Sequence, residues 1–463
     1  MTDPLVVWNP STGEPLAEVP ASTAEDVDRA VATARRAQRE WWALAPYERE
    51  RVLNRIGDLI LRDRERLAKL DSDNIGKTLE FVRAEIDFSA EAFHFAAGHP
   101  ARANGQQIPI GDPGALCYTL LEPVGVVAAI TAWNAPFVIA TAKVSGALAA
   151  GCAVIVKPAP EAPLSTIELA RIVEEAGAPP GCVQVLTGGD EAGAALTAHP
   201  GIDKTSFTGS FETAREVLRS VAVRCRPAAI ELGGKSPNIV FADVDLEAAL
   251  DSVLVGALSS TGQECCAGAR ILVERSVRDE FVELASKRIA SLQGGAGNGD
   301  PIEIGPMVTA AHRDRVAGFV ERAVGEGANV CATGSVPERG FFYPPTLLDR
   351  VTPSMEVWRE EVFGPVLAVD AFDGDDDAIE KANATRYGLA AGVWTADIDR
   401  AIRFVRELEA GLVWVNSYLE TISPAAPFGG GKDSGYGREL GIEGPLEFSQ
   451  VKIAYLKGAR GRS

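Results

Sequence analysis

The sequence predicts an α/β protein made of two regions, each carrying a mostly parallel sheet. From Val124 onward, short β-branched apolar runs alternate with helix-length segments, the spacing of βαβ units. The alternation resumes near Leu232, which implies a second α/β region. With 463 residues, 46% hydrophobic and 24% charged, the chain exceeds one ordinary domain and has the apolar content for large cores.

The elements follow in order. Ser22-Thr23-Ala24-Glu25 has the form of a capping box, and Val27, Val31 and Ala34 continue it at helical spacing. Helical patterning runs on through residues 47–70 and 80–97. Residues 124–130, 153–156, 183–186 and 205–207 read as buried strands, with helices at 140–150, 164–176 and 192–197 between and around them. A strand at 228–230 ends on Glu231. In the second region, 245–258 and 277–292 are helical and 270–273 is a strand, while 294–300 and 424–437 are glycine-rich loops. No internal repeat or low-complexity linker separates the regions, so they are expected to pack directly on each other.

Charge and composition exclude several functions. A formal net charge of −19 repels polyanions and argues against nucleic acid as a partner. The basic tail at 457–462 reads as a terminus rather than a binding arm. The N-terminus has neither a basic nor an apolar signal segment, and no run is long and apolar enough to span a bilayer, so no membrane association is expected. Seven cysteines, odd in number and without C-x-x-C spacing, argue against a disulfide framework and against a zinc site. Four scattered histidines add no metal signature, and a reducing cytoplasm is the expected compartment.

Ligands of parallel sheets bind where strands end at their carboxyl side, so the residues just after each strand carry the functional reading. Trp133-Asn134-Ala135-Pro136 puts an amide there, either an oxyanion donor or an Asx turn. Lys157-Pro158 is a ribose or phosphate contact, or a solvated strand end. Gly209-Ser210 precedes a helix, either as a pyrophosphate site or as an N-cap. Glu231-Leu232-Gly233-Gly234-Lys235 offers a general base or a turn-capping carboxylate. Glu361-Val362-Phe363-Gly364-Pro365 places a further carboxylate at a strand start. Neither Gly234-Lys235-Ser236 nor Gly76-Lys77-Thr78 is a phosphate loop, because the required earlier glycine is Ala229 in one and Asp71 in the other. Cys265, in the polar, small-residue stretch Thr261-Gly262-Gln263-Glu264-Cys265-Cys266-Ala267-Gly268, is a plausible nucleophile.

Taken together, these motifs resemble the aldehyde dehydrogenase superfamily. W-N-x-P, K-P, F-T-G-S, E-L-G-G-K, G-Q-x-C, E-x-F-G-P and P-F-G-G occur in the family's order, and the likeness extends from about Asn9 to Phe448. The resemblance implies an NAD(P)-binding domain of variant Rossmann type (1–103 and 124–231), a catalytic domain (232–443) and a β-strand oligomerisation extension (104–123 and 444–463) of a homodimer or homotetramer. It implies oxidation of a small-molecule aldehyde. The Cys265 thiolate would form a thiohemiacetal whose oxyanion is held by Asn134 and the Cys265 N–H. Hydride transfer to NAD(P) would give a thioester, hydrolysed by water that Glu231 activates. Lys157 would hold the adenosine ribose, Gly209 and Ser210 the pyrophosphate, and Glu361 the nicotinamide ribose. Ile130, Trp133, Leu232 and Phe363 would complete the cofactor site, and Ala135, Ala142 and Phe428 would line the substrate pocket. No metal is implied.

Relatives that pass the acyl group to coenzyme A lack the general base, so Glu231 favours hydrolysis over that alternative. A catalytically silent homologue is expected to have lost Cys265 or Glu231, and both are present. Three departures matter. Pro160 stands where NAD-preferring relatives often carry a glutamate, with Glu161 one place on, which leaves NADP open; the lack of a local basic residue for a 2′-phosphate favours NAD. Ala135 and Ala142 stand where relatives often carry bulky aromatics, or at the second position an arginine that reads semialdehyde carboxylates; Ala142 therefore argues against succinate semialdehyde, and the two alanines suggest a roomy, apolar entrance for a bulky or long aldehyde. Glu264 would raise the thiol's pKa if it faced Cys265, so its side chain is expected to turn away, and that of Cys266 to point elsewhere.

Overall fold

The computed structural model describes residues 3–297 and 304–458. Two strand-rich layers dominate it. In the first sheet the order is Gly435–Tyr436, Ala228–Glu231, Lys204–Thr208, Val126–Ile130, Ala153–Lys157 and Val183–Val185; all neighbours are parallel except the short Gly435–Tyr436 edge. The chain builds outward from Val126–Ile130 on one side, then returns to its other side with Lys204–Thr208. The strand order therefore reverses between these two strands, and a crevice is expected at their carboxyl ends. Both central strands are apolar on both faces because helices cover both sides.

The second sheet runs Asn329–Thr333, Thr346–Asp349, Val366–Phe372, Arg270–Glu274, Pro237–Val240, Ala390–Trp394 and Leu412–Val415, parallel except for its first pair. Alternate residues feed opposite cores, as a period of two dictates: Ile239 and Leu272 pack in one cluster, Val240, Ile271 and Val273 in the other. A third sheet joins Gln107–Ile108, Ala115–Pro123 and Ser449–Lys457, with all nine residues of the last strand paired antiparallel to 115–123. Among the described residues no helix is long and apolar enough to cross a membrane.

The sequence reading needs adjustment in four places. The first helix, Ala24–Ala43, is capped by Thr23 with Asp26 closing the box; the Ser22 N–H is instead bonded to the Thr187 carbonyl. Residues 47–70 form two helices, Pro46–Arg62 and Arg64–Ile75, broken at Asp63. The strand expected from Val124 starts at Val126, because Gly125 at φ +126 turns the chain out of the preceding strand. Gly435–Tyr436, read as part of the second region, adds the edge strand to the first sheet. The 294–300 loop is described only as far as Gly297, and the rest of it, like most of the basic tail, lies outside the described residues.

The first core is continuous from the N-terminal helices to the sheet. Leu79–Ala97 presents Val82, Ile86, Ala90 and Phe93 to it at i, i+4, i+8 and i+11, all fully buried. Replacing Phe93 by alanine deletes a buried ring at this junction. The change is expected to cost about 3–5 kcal/mol, read as a lower urea midpoint for the first unfolding transition.

Candidate active site

The site forms where the carboxyl edge of the first sheet meets the amino edge of the second. Val126–Ile130 leads into Trp133 and Asn134, Lys204–Thr208 into Gly209 and Ser210, and Ala228–Glu231 ends on Glu231 itself. From the other side, Cys265 lies just before Arg270–Glu274 and Glu361 just before Val366–Phe372. Backbone closeness at the seam requires glycine. A β-carbon at 233 would lie 2.1 Å from the Glu361 carboxylate, one at 234 would lie 2.6 Å from the Cys265 carbonyl, and one at 262 would lie 2.3 Å from the Gly364 carbonyl. The Gly234 N–H donates to Glu361 Oε1 at 3.1 Å. Three motifs far apart in sequence are thus locked together through their glycines.

The loop that carries Cys265 is held from several sides. Ser260 and Thr261 adopt left-handed φ of 52° and 60°. Thr261 exchanges hydrogen bonds with Gly305, its hydroxyl donating to the carbonyl at 3.1 Å and accepting from the N–H at 3.0 Å. The Gln263 amide donates to the Ser260 and Pro306 carbonyls and accepts from the Val308 N–H. Tyr418, fully buried beside Trp394 and Trp414, donates to the Cys266 carbonyl at 2.6 Å. Asn238 donates to Gly268 at 2.7 Å. Such pinning offsets the backbone strain and fixes where the thiol points.

Cys265 lines two chambers, as do Asn134, Thr208 and Leu232. One is a mostly apolar cavity of about 240 Å³, whose walls include Ala135, Ala142 and Phe428. The other is a more polar groove of about 290 Å³ lined by Trp133, Gly209, Ser210, Glu361 and Phe363. The neighbouring Cys266 thiol and burial both push the Cys265 thiol above its ordinary pKa. Cys266 is buried in the second sheet's core but also touches the apolar cavity. The Glu264 carboxylate is held by Lys77 at 3.0 Å and Ser260 at 2.6 Å, yet it lines the same cavity and its charge adds to the rise of the thiol, so the expectation that it would leave the thiol unaffected does not hold. Two donors beside the thiol are uncommitted among the described residues: the Asn134 side-chain amide and the Cys265 backbone N–H.

Glu231 faces the apolar cavity, buried, with neither carboxylate oxygen hydrogen-bonded among the described residues. Burial foremost, then the neighbouring Glu439 charge, raises its pKa well above the usual carboxylate range, against the fields of Lys143 and Arg438. Glu439 is itself paired with the buried Lys143, which also donates to Ser206 at 2.9 Å. A carboxyl group in this state takes up a proton readily and has no protein partner to hold it back.

In the groove, Trp133, His312 and Phe363 pack edge to face with centroids 5.2–6.0 Å apart, and Phe363 has a left-handed φ of 59°. Burial lowers His312 to about 4, so the ring is neutral at neutral pH; its Nε2 lies 2.7 Å from the Phe363 carbonyl, an acceptor, and therefore carries the proton. Burial pushes Glu361 up to about 7. The Ser210 hydroxyl accepts from the Thr213 N–H at 3.2 Å and so caps the helix Phe211–Ala222. Lys157 and Ile130 are not in the groove wall. They pair in register at the sheet's carboxyl edge, and burial lowers the Lys157 pKa, partly opposed by Asp190 and Glu161.

Sequence reasoning missed His312, Tyr418, Ser434 and the Lys143–Glu439 pair. Ser434 is fully buried and ties the glycine loop to the seam, donating to the Gly233 carbonyl at 2.8 Å and accepting from the Gly388 N–H. Each of these residues reaches the site across a long sequence separation, with no local motif to mark it. For the seam itself, Gly234→Ala is expected to destabilise the protein by about 1–3 kcal/mol and to slow alkylation of Cys265, since the clash is with backbone; urea unfolding and iodoacetamide kinetics measure both.

The comparisons agree with this geometry. Residues 2–454 match the aldehyde dehydrogenase family. A betaine aldehyde dehydrogenase of Rhizobium leguminosarum bv. trifolii is 41% identical over 455 residues, covering 96% of this chain and 92% of that protein. A (Z)-2-((N-methylformamido)methylene)-5-hydroxybutyrolactone dehydrogenase of Acinetobacter baylyi is 40% identical over 455 residues, covering 97% and 93%. The solved NAD+ complex of an aldehyde dehydrogenase from Bacillus cereus superposes with a TM-score of 0.96 at 39% identity, covering 98% of this chain and 93% of that one. With its motifs in order and its thiol set between two chambers, the chain belongs to the aldehyde dehydrogenase family.

Proposed function

We propose that the protein oxidises an aldehyde to its carboxylate with NAD as hydride acceptor, by a covalent route through Cys265. The observation that carries this reading is that Cys265 and Asn134 line both chambers while Glu231 stands unpartnered in the apolar one. An aldehyde in the cavity and a cofactor in the groove would therefore meet at the thiol.

The groove fits NAD. The helix start at Gly209-Ser210 suits an anionic pyrophosphate, and Glu361, with a single backbone donor on one oxygen, can accept from a ribose hydroxyl. Trp133, Phe363 and Leu232 supply apolar walls, and Lys157 and Ile130 extend the site along the strand ends. The acidic groups acting on Lys157 favour the free ribose hydroxyls of NAD over a 2′-phosphate. When bound, the cofactor takes the hydride from the aldehyde carbon.

The remaining chemistry belongs to the chain. Cys265 gives up its proton to solvent, and its sulfur adds to the carbonyl carbon. The Asn134 amide and the Cys265 N–H, both uncommitted among the described residues, would meet the oxygen as it becomes negative. Once the hydride has left, the acyl group is bound to Cys265 as a thioester. Glu231 takes a proton from water, whose attack on the thioester carbon releases the carboxylic acid and restores the thiol. Ala135, Ala142 and Phe428 give the aldehyde an apolar seat.

The cofactor domain is assigned to 1–103 and 124–231, the catalytic domain to 232–443 and the oligomerisation extension to 104–123 and 444–463. The exposed Val451, Ile453 and Tyr455 on the outer strand support a homodimer or homotetramer. Seven unpaired cysteines support a reducing, cytoplasmic setting.

Cys265→Ala is expected to lower aldehyde oxidation by at least about a thousandfold. Glu231→Gln is expected to keep a single burst of reduced cofactor while steady-state turnover falls by about 10²–10⁴. Because burial raises Glu231, the base is charged only above that raised value. Wild-type turnover should therefore rise with pH through it, and stopped-flow profiles of Glu231→Gln should lack that limb.

A further inference from the structure

Beyond Glu231, the cavity beside Cys265 carries charged residues that the reaction itself does not use. Each charged residue in its wall is a glutamate: Glu85, Glu231, Glu264 and Glu439. Among the described residues no lysine, arginine or histidine lines it, and the rest of the wall is largely apolar, with Phe81 and Phe88 close to Glu85 in sequence. Two lysines stand behind this wall. Lys143 is taken by Glu439. Lys77, its side chain only 3% exposed, serves two carboxylates at once, Glu85 at 2.5 Å and Glu264 at 3.0 Å.

The two glutamates are not equivalent. Glu264 also accepts from the Ser260 hydroxyl, whereas among the described residues Lys77 is the one donor to the Glu85 carboxylate. The groups acting on Glu85 are Lys77, Glu264 and Asp71, one cation against two further acids. Burial, reinforced by those acids and opposed by Lys77, pushes Glu85 up to about 7. The triad of Lys77, Glu85 and Glu264 is thus one positive charge short on the side that faces the cavity. Phe81, over whose ring Lys77 Nζ lies at 5.1 Å, and Phe88 add aromatic faces, which attract cations rather than anions.

We propose, granted the aldehyde oxidation argued above, that this cavity selects aldehydes bearing a positively charged nitrogen on their tail, and that Glu85 reads that charge. An alkylammonium tail supplies the missing counter-charge and lets Glu85 stay ionised. A neutral tail leaves Glu85 either protonated or uncompensated. A carboxylate tail adds another acidic group to a wall that already holds four.

The test compares three aldehydes of matched length and bulk, with trimethylammonio, tert-butyl and carboxylate tails, by kcat/KM with the full-length protein and NAD. The wild type is expected to prefer the cationic aldehyde over its neutral isostere by at least about tenfold, and to disfavour the carboxylate. Glu85→Gln is expected to cut the cation-to-neutral ratio by about tenfold, chiefly through KM. Both rates are taken on one preparation, so a partly misfolded variant does not alter the ratio. In the wild type alone, tetramethylammonium should compete with the neutral aldehyde, and neopentyl alcohol should do so far less well. A wild-type ratio near one, or a ratio unchanged by Glu85→Gln, overturns the assignment of Glu85. Failure to oxidise all three aldehydes overturns the proposed reaction instead.

Discussion

The site depends on how closely two backbones can approach at the seam between the sheets. Gly233 and Gly234 follow the strand that ends on Glu231, and they lie against the Glu361 carboxylate and the Cys265 carbonyl, where no β-carbon fits. Gly262 makes the matching approach to Gly364 from the loop that carries Cys265. This contact sets Glu231, the Cys265 thiol and the Glu361 carboxylate in one place, though they come from three distant parts of the chain. The loop around Cys265 can then hold left-handed residues, because Thr261, Gln263, Asn238 and Tyr418 anchor it on both sides.

Buried charge is the second organising feature. The protein keeps Lys77, Lys143 and Lys204 almost wholly buried, each beside a glutamate. Desolvating such pairs is costly, and a pair of this kind is weak support for stability on its own. Here Lys143 and its partner Glu439 stand beside Glu231, and their fields act on that unpaired group. Glu231 is raised because it is buried and because Glu439 stands near it, while Lys143 limits the rise. The same arrangement gives one carboxyl group ready to accept a proton and leaves its neighbours fixed.

Much of this was legible in the chain. The alternating strand and helix pattern gave the parallel sheets, since βαβ periodicity is local, and the strand-end rule pointed to Asn134, Gly209 and Glu231 before any geometry was known. The resemblance then joined Cys265 and Glu361 to them. What stayed hidden is non-local. Tyr418 and Ser434 act through hydrogen bonds to backbone groups far away in sequence, and His312 acts by packing against Trp133 and Phe363. Lys77 looked like a failed phosphate loop and proved to be the cation between Glu85 and Glu264. The first helix cap slipped by one residue because the Ser22 N–H is bonded to Thr187, a contact with no local signal.

The central claim is that Cys265 carries the acyl group and Glu231 releases it. Intact-protein and peptide mass spectrometry of Glu231→Gln, quenched in acid after mixing with an aldehyde and NAD, tests it most directly. The account predicts one added acyl mass, removed by hydroxylamine and mapped to the peptide containing Cys265. An adduct on another residue, or reduced cofactor formed in a burst with no adduct at all, would contradict it.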